Sequence, residues 1–378
     1  MSGIKKRIIA GLICAAMAFC SCSSSSSLSE KKESSSGGEQ VSTLSSSEET
    51  TSTSTETVST PAETTSESGT ASQAQTEPSQ TQTQQSQVTT KAADPAASAG
   101  IAMWECTDKN GNKITMIGSM HAAKSDILPL ADRITKPFNE AQALVIECDA
   151  ATVDPQMQAL MTSEMTYSDG TLLKDKLSPD AYNIFLEKAA AFGMTEMYFK
   201  NYKPWAAHEV IESLWLMASG FSANYGLDNT LINQAKSAGK EIIELESVQE
   251  QLELYFKSPD LVFQAQIKAL KDETAQTYTQ EMEKLYTAWK SGDIDAIANM
   301  EASSEDISDA GLTDEEVKAL TDFNKKLVGD RNVKMAAKLQ QIMASGKKAF
   351  VVVGAAHYIG EGGIVDLLQK AGCTVKRR

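Results

Sequence analysis

The stretch "FVVVGAAHYIG", residues 350–360, is a run of β-branched apolar residues that ends in the pattern Gly-x-x-His. The same pattern closes "ITMIGSMHAAK", residues 114–124, more than two hundred positions earlier. The chain has 3 histidines, and two of them, His121 and His357, stand at this identical spacing from a glycine. Short apolar runs of this composition indicate buried strands. Both histidines are therefore predicted to follow the end of a strand.

Further strand patterns lie between these two, separated by helical segments. "ALVIECD" (143–149) and "EIIELES" (241–247) predict buried strands, and "MWECTDKNGNKITMIGS" (103–119) predicts a β-hairpin that turns at Asn-Gly. Residues 248–345 keep a helical period with few glycines, which predicts a helical lobe. The sequence thus predicts an α/β fold, with a central mixed β-sheet flanked by helices and a helical insertion.

The N-terminal 22 residues are typical of an export signal. A basic start precedes an apolar stretch that is too short to span a bilayer, and small residues follow it. Cys22, directly before a serine tract, resembles the lipid-attachment site of bacterial lipoproteins, and Cys20 is a rival position. Ordinary cleavage that releases a soluble product is the alternative. The prediction is a lipid-anchored protein on the extracellular face of a bacterial cell membrane, of the Gram-positive type.

Residues 23–100 are dominated by Ser, Thr, Gln, Glu and Ala and hold almost no large apolar side chains. Such a segment cannot bury enough apolar surface to fold, so it is predicted to be a disordered linker. Residues 101–378 remain, and they are enough for one large domain.

Charge limits the partners of this domain. The net charge of the chain is −15, of which the signal contributes +3 and the linker −7, leaving −11 on residues 101–378. An acidic domain argues against nucleic acid or an anionic lipid surface as a partner. Contact with a membrane is therefore expected through the lipid anchor only. The domain's cysteines, Cys106, Cys148 and Cys373, are odd in number and lack CxxC spacing, which predicts neither a disulfide framework nor a thiolate metal site.

Acidic residues close two of the predicted strands. In "ALVIECD" the strand delivers Glu147 at its end, and in "EIIELES" it delivers Glu246. Ligands of open α/β sheets bind at the carboxyl ends of the strands. Two histidines and a carboxylate form a common ligand set for catalytic divalent metals. We therefore predict that His121, Glu147 and His357 are catalytic and bind a divalent metal, with Mn²⁺, Co²⁺ and Zn²⁺ all compatible. A structural role for each histidine is the alternative.

Other polar residues have simpler interpretations from the sequence alone. Asp228, in "YGLDNTLINQAKSAGK", is placed to cap the start of a helix. Glu246 could equally pair with a lysine or cap the helix that follows it. Arg331 fits an ordinary charge on a long helix, and His208 is predicted to lie on a helix face outside the site.

Seven ordered blocks of residues 101–378 resemble the TraB/GumN family, which includes the animal Tiki proteins. They are "MIGSMHAAKSDILPL", "ALVIECD", "KPWAAHEVI", "YGLDNTLINQAKSAGKEIIELES", "LYTAWKSGDIDAI", "GDRNVKMAAKL" and "FVVVGAAHYIGEGGIVDLLQKAGCTVKR". The resemblance implies a fold related to erythromycin-esterase-like and ChaN-like proteins. It also implies metal-dependent peptide hydrolysis, because the animal members are described as metal-dependent proteases that trim secreted Wnt ligands.

The matching motif positions imply roles for individual residues. A catalytic or metal-binding role is implied for His121, Glu147 and His357, and Arg331 would suit a developing oxyanion. Ser119 stands where many relatives have threonine, so a hydroxyl is kept. The positions implied to line the substrate site are Ser119, Asp228, Glu246 and Asn332.

Together these patterns predict a surface-anchored, metal-dependent hydrolase that acts on a peptide or small-molecule substrate. One alternative is a metal-free, esterase-like hydrolase in which His121 or His357 is the general base. Another is a non-catalytic lipoprotein that binds a ligand such as haem.

Overall fold

A computed structural model describes residues 95–300 and 311–378. The predicted export signal with Cys22, and the predicted linker as far as residue 94, lie outside these residues. Within the described ranges, every helix is too short or too polar to cross a bilayer. Ser98 falls inside the predicted linker, yet it is buried, and its hydroxyl accepts a hydrogen bond from the backbone N–H of Ala131 at 2.8 Å.

The core of the domain is a six-stranded mixed sheet in the order β4-β3-β5-β2-β1-β6. Strands β4, β3, β5 and β2 are parallel to one another, whereas β1 is antiparallel to both β2 and β6. This arrangement confirms the predicted fold class. The strands are β1 (Met103–Thr107), β2 (Lys113–Ser119), β3 (Ala143–Ile146), β4 (Glu241–Glu244), β5 (Ala349–Gly354) and β6 (Thr374–Arg377).

The predicted hairpin between β1 and β2 is present. The carboxylate of Asp108 accepts the backbone N–H groups of Asn110 and Asn112, both at 2.8 Å. Gly111 has φ of 86°, a left-handed conformation that glycine adopts without strain. The Asn-Gly pair therefore turns the chain as its sequence predicts.

Helices cover both faces of the sheet. The α-helices of the described residues are α1 (Asp132–Glu140), α2 (Pro155–Met165), α3 (Pro179–Ala190), α4 (Glu196–Phe199), α5 (Pro204–Ala218), α6 (Leu227–Ser237), α7 (Val248–Phe256), α8 (Asp260–Ala269), α9 (Ala275–Ser291), α10 (Ile294–Met300), α11 (Asp314–Asn324), α12 (Arg331–Ala344) and α13 (Ile364–Lys370). A π-helical turn, Lys325–Asp330, joins α11 to α12. Short 3-10 helices are Pro95–Ser98, Ser125–Ile127, Ala150–Thr152, Leu173–Asp175, Ala223–Tyr225 and Ala355–Tyr358.

Strand β5 is buried on both sides, as its unbroken apolar run predicts. Phe350 and Val352 pack in one apolar cluster with residues of α5 and α9. Val351 and Val353 pack in another with residues of α12 and α13. Alternate side chains of a strand point to opposite faces, so β5 is a central strand between two helical layers. The helices of residues 248–345 contribute to both of these layers and to a third apolar cluster with α5.

Candidate active site

The two Gly-x-x-His motifs end neighbouring parallel strands. In the pairing of β2 with β5, Ser119 lies opposite Gly354. His121 follows β2 by two residues, and His357 lies in the 3-10 helix that continues from β5. Because the carboxyl ends of parallel strands meet at one edge of a sheet, the two imidazoles are brought to the same place. The predicted convergence of the histidines is therefore confirmed.

Glu147 lies between the two rings. It follows β3, the neighbour of β5 on its other side, and its side chain is 5% exposed. His121 Nε2 is 3.9 Å from Glu147 Oε1, and His357 Nε2 is 4.0 Å from Glu147 Oε2. These separations are too long for hydrogen bonds. Both rings therefore direct the same nitrogen at one buried carboxylate without bonding it.

The other nitrogen of each ring is held by a polar side chain. His121 Nδ1 is 2.7 Å from Asp228 Oδ2, and His357 Nδ1 is 2.6 Å from Asn332 Oδ1. Asn332 Nδ2 donates to the carbonyl of Gly362 at 3.0 Å, which leaves its Oδ1 as an acceptor. His357 must then carry its proton on Nδ1, and its Nε2 keeps a lone pair when the ring is neutral.

Glu147 is held by donors on both of its oxygens. Oε1 accepts the backbone N–H of Gly354 at 2.6 Å, and Oε2 accepts Arg331 Nη2 at 2.8 Å and Gln251 Nε2 at 3.3 Å. Burial alone would raise the pKa of Glu147, but His357, Arg331 and His121 lower this pKa to about 2. The group is therefore a fixed negative charge at neutral pH.

Arg331 is the cation that balances this part of the site. It is 4% exposed, and its Nε and Nη2 donate to Glu246 at 2.8 and 2.9 Å. Its Nη1 donates to the carbonyl of Leu327 at 2.9 Å, at the π-helical turn. Burial would lower the pKa of Arg331, but Glu147 and Glu246 raise it. The interpretation of Arg331 as an ordinary surface charge is therefore wrong, because two buried carboxylates enclose it.

The histidines differ in charge. Burial lowers the pKa of His121, but Asp228 and Glu147 outweigh this effect and raise the pKa to about 9. For His357, burial is again the largest effect and Arg331 adds to it, so its pKa falls to about 4. Without other ligands, His121 is a cation at neutral pH and His357 is neutral.

Asp228 does not cap its helix as the sequence suggested. The residue that precedes α6 is Gly226, and Asp228 lies in the first turn with its side chain on His121. A Cβ atom on Gly226 would lie 2.3 Å from the backbone oxygen of His121, so only glycine permits this approach. Asp228 Oδ1 is buried and has no hydrogen-bond partner among the described residues.

A second glycine, Gly354, makes room for the side chains of Glu147 and His121. A Cβ atom on Gly354 would lie 3.2 Å from Glu147 Oε1 and 3.3 Å from His121 Nε2. Gly354 thus serves twice, since its N–H binds the carboxylate and its missing side chain admits the ring. Sequence reasoning identified this glycine by its spacing from His357, but it did not identify Gln251 or Gly226 as residues of the site.

A small, mostly apolar cavity of about 90 Å³ adjoins the histidines. Ser119, His121, Arg331 and His357 contribute to its wall. Asp228, Glu246 and Asn332, which the family resemblance implied as substrate-lining, are not among its lining residues. They contact the site's own side chains instead.

The third histidine lies elsewhere. His208 is buried on α5, and its ring nitrogens are 3.3 Å from Glu209 and 3.8 Å from Glu212. As the side chains stand, residues 95–300 and 311–378 contain no group of three or more His, Cys, Asp or Glu that could hold a metal ion. The three cysteines of these ranges are free thiols.

Comparisons with known proteins identify the family of this chain. A model of the TraB/PrgY/gumN family matches residues 102–377, and the chain belongs to this family. The uncharacterized protein YbaP of Escherichia coli (strain K12) and its Shigella flexneri counterpart are each 26% identical to the chain over 257 residues. These alignments cover 67% of this chain and 87% of each relative. No solved structure gives a significant match.

Proposed function

We propose that this domain is a metal-dependent hydrolase that acts on peptide bonds and is built on His121, Glu147 and His357. One observation carries the proposal: two imidazoles direct Nε2 at one buried carboxylate, while a polar side chain holds Nδ1 of each. Histidines that bind metals nearly always donate their second ring N–H in this way. The choice of peptide bonds rests on the family resemblance.

Imidazole nitrogens and carboxylate oxygens are donor types that divalent metal ions accept. Two atoms that bind one ion at about 2.0–2.2 Å lie at most about 4.3 Å apart, and about 3.4 Å apart around a tetrahedral ion. The distances of 3.9 and 4.0 Å between Nε2 of each ring and the Glu147 oxygens are below the upper limit for two ligands of one ion. They exceed the separation around a tetrahedral ion. His121, Glu147 and His357 would hold the ion. Mn²⁺, Co²⁺ and Zn²⁺ all accept this ligand set.

A divalent ion at this position would acidify a bound water and polarise a substrate carbonyl. The chain's own residues would do the rest. Asp228 and Asn332 hold the ring orientations. Arg331 keeps Glu147 ionised and in place, and its Nε and Nη2 are already bound to carboxylates. We therefore assign Arg331 a positioning role rather than the oxyanion role implied by the resemblance.

The test is metal analysis of the full chain. We expect one divalent ion per chain in the wild type, and loss of that ion in the double variant His121→Ala/His357→Ala. The matched control is His208→Ala, because His208 is also a buried histidine but contacts neither Glu147 nor the other two rings. If the wild type and the double variant retain equal amounts of metal, the metal-dependent proposal fails.

A second candidate is a metal-free hydrolase, and the contact between His121 and Asp228 favours it. A carboxylate at 2.7 Å from Nδ1 orients His121 for proton transfer, and with a pKa of about 9 this ring would be the general acid at neutral pH, while the neutral His357 would be the general base. The donors that already occupy both oxygens of Glu147 suit this candidate as well. Peptide hydrolysis that survives exhaustive chelation would support it, whereas activity restored only by added metal would exclude it.

We further propose that the protein is anchored on the extracellular face of a bacterial membrane through Cys22. The support is the sequence of residues 1–22 and the serine tract that follows. Expression in a bacterial host with labelled palmitate tests this proposal. We expect label on the wild type and on Cys20→Ser, and none on Cys22→Ser. Label that persists in Cys22→Ser would contradict the assignment.

A further inference from the structure

The cavity beside the histidines has a wall that the proposed chemistry does not use. Apart from the site residues, it is lined by apolar side chains from separate elements, including Met120, Leu285, Trp289, Ile297, Leu327 and Ala356. Sites for small molecules are usually apolar, with a few polar groups that fix orientation. This arrangement, which we call the apolar pocket, has that composition.

The walls of the apolar pocket are fixed by packing. Leu285 and Trp289 lie on α9 and are 6% and 2% exposed. Trp289 Nε1 donates to the carbonyl of Gly118 at 2.9 Å, so the indole's one polar atom is satisfied by the first Gly-x-x-His motif. Leu327 accepts Arg331 through its carbonyl at 2.9 Å. The wall of the apolar pocket is therefore bonded to both the first Gly-x-x-His motif and Arg331.

One polar atom at the wall of the pocket lacks a partner. The hydroxyl of Ser119 is buried and makes no hydrogen bond within the described part of the chain. A buried hydroxyl without a protein partner at a pocket wall is placed to bond a polar group of a ligand. Ser119 is two residues before His121 and would meet a polar group of the same ligand.

The volume of the pocket restricts what can enter it. An apolar cavity of about 150 Å³ admits benzene. At about 90 Å³, the apolar pocket is smaller than that cavity and has room for a side chain of the size of valine or leucine. Arg331 and His121 are among its lining residues but no carboxylate is, so a cationic side chain would be buried there without compensation.

We propose that the apolar pocket binds an aliphatic side chain of the substrate, of the size of valine or leucine, next to the bond that is cleaved. This inference rests on the proposed peptide hydrolase for its substrate class. It adds that the preferred substrate carries a medium-sized aliphatic residue, whose backbone amide or carbonyl bonds to Ser119.

Binding of four small probes to the full chain, measured by calorimetry, tests this inference. The probes are the N-acetyl amides of leucine, phenylalanine, glycine and lysine. Burying a leucine side chain is worth about 1.5–3 kcal/mol, so we expect the leucine probe to bind at least about tenfold more tightly than the glycine probe. Equal binding of the leucine, glycine and lysine probes, or no binding of any probe, would overturn the inference.

Two matched variants locate the binding. Leu285→Ala enlarges the pocket, and we expect the ratio of phenylalanine to leucine affinity to rise about tenfold. Leu216→Ala removes an equally buried leucine, also 6% exposed, that does not line the pocket, and it should leave this ratio unchanged. If both variants change the ratio equally, the pocket is not the binding site.

The outcomes separate this inference from the proposed function. Because the measurement is of binding, it does not depend on turnover. A leucine preference that Leu285→Ala alters, in a protein that hydrolyses no peptide, would contradict the hydrolase and leave the pocket assignment standing. Peptide hydrolysis without any preference for aliphatic residues would contradict the pocket assignment alone.

Discussion

The two Gly-x-x-His motifs have the same spacing, but their histidines lie in different environments. The side chain of His121 is 19% exposed, bonds a carboxylate, and has a pKa raised to about 9. The side chain of His357 is 4% exposed, bonds an amide, and has a pKa lowered to about 4. The motif therefore sets where each ring lies, whereas residues from other parts of the chain set what each ring can do.

Both rings face Glu147, and Arg331 is the cation that holds this carboxylate. Replacing Arg331 should have the largest effect on stability. Arg331→Met leaves Glu147 and Glu246 buried without their common partner. Breaking a buried ion pair by removing one side costs about 3–5 kcal/mol, so we expect the free energy of unfolding in urea to fall by that amount. Lys318→Met is the control, because Lys318 pairs with Asp322 on an exposed helix face and its loss should cost about 1 kcal/mol or less. Equal losses would show that Arg331 is not a buried structural cation.

Variants of Asp228 and Asn332, the partners of the two rings, should distinguish effects on activity from effects on stability. Asp228→Asn keeps a hydrogen-bonding side chain on His121 but removes its charge, and we expect hydrolytic kcat/KM to fall about 10- to 100-fold, while stability measured above pH 9, where His121 is neutral, should change little. Asn332→Ala leaves the buried Nδ1–H of His357 without an acceptor, and it should cost about 1–3 kcal/mol of unfolding free energy in addition to activity. Kinetics and urea denaturation of both variants measure the two effects. A stability loss in Asp228→Asn as large as that in Asn332→Ala would contradict the contrast between the rings.

The motif glycines offer a smaller and more local test. A methyl group on Gly354 would lie 3.2 Å from Glu147 and 3.3 Å from His121. A methyl group on Gly118 would instead lie 3.1 Å from the Cα and Cβ of Ala355. We expect Gly354→Ala to reduce kcat/KM several-fold more than Gly118→Ala, because only the first intrudes on the charged group. An equal loss in both would mean that the glycines serve only to turn the backbone.

The positions of Glu147 and His357 could be predicted from the sequence because each residue follows the end of a predicted strand. Unbroken apolar runs predicted β3 and β5, and parallel strands deliver Glu147 and His357 to one edge whatever the helices do. The mixed sheet and its hairpin followed from the same local signals. These features depend on short segments whose composition decides their conformation.

The rest depends on tertiary contacts that no local pattern records. The sequence suggested that Asp228 caps a helix, but Gly226 precedes that helix and frees the carboxylate for His121. Arg331 follows a π-helical turn, and the register of this turn decides whether the side chain is exposed or buried. The apolar pocket is formed by residues of α9 and of the end of β2, which are more than 150 residues apart in the chain. Their contact could therefore not be predicted from the sequence.

Nitrogen-15 NMR of the histidine side chains during a Zn²⁺ titration tests the central claim most directly, because the full chain has 3 histidines. The account predicts that His357 is a neutral ring protonated on Nδ1 before metal is added. It predicts that Nε2 of both His121 and His357 shifts together at one ion per chain, while His208 does not change. A shift of only one of the pair, or of His208 instead, would contradict the account.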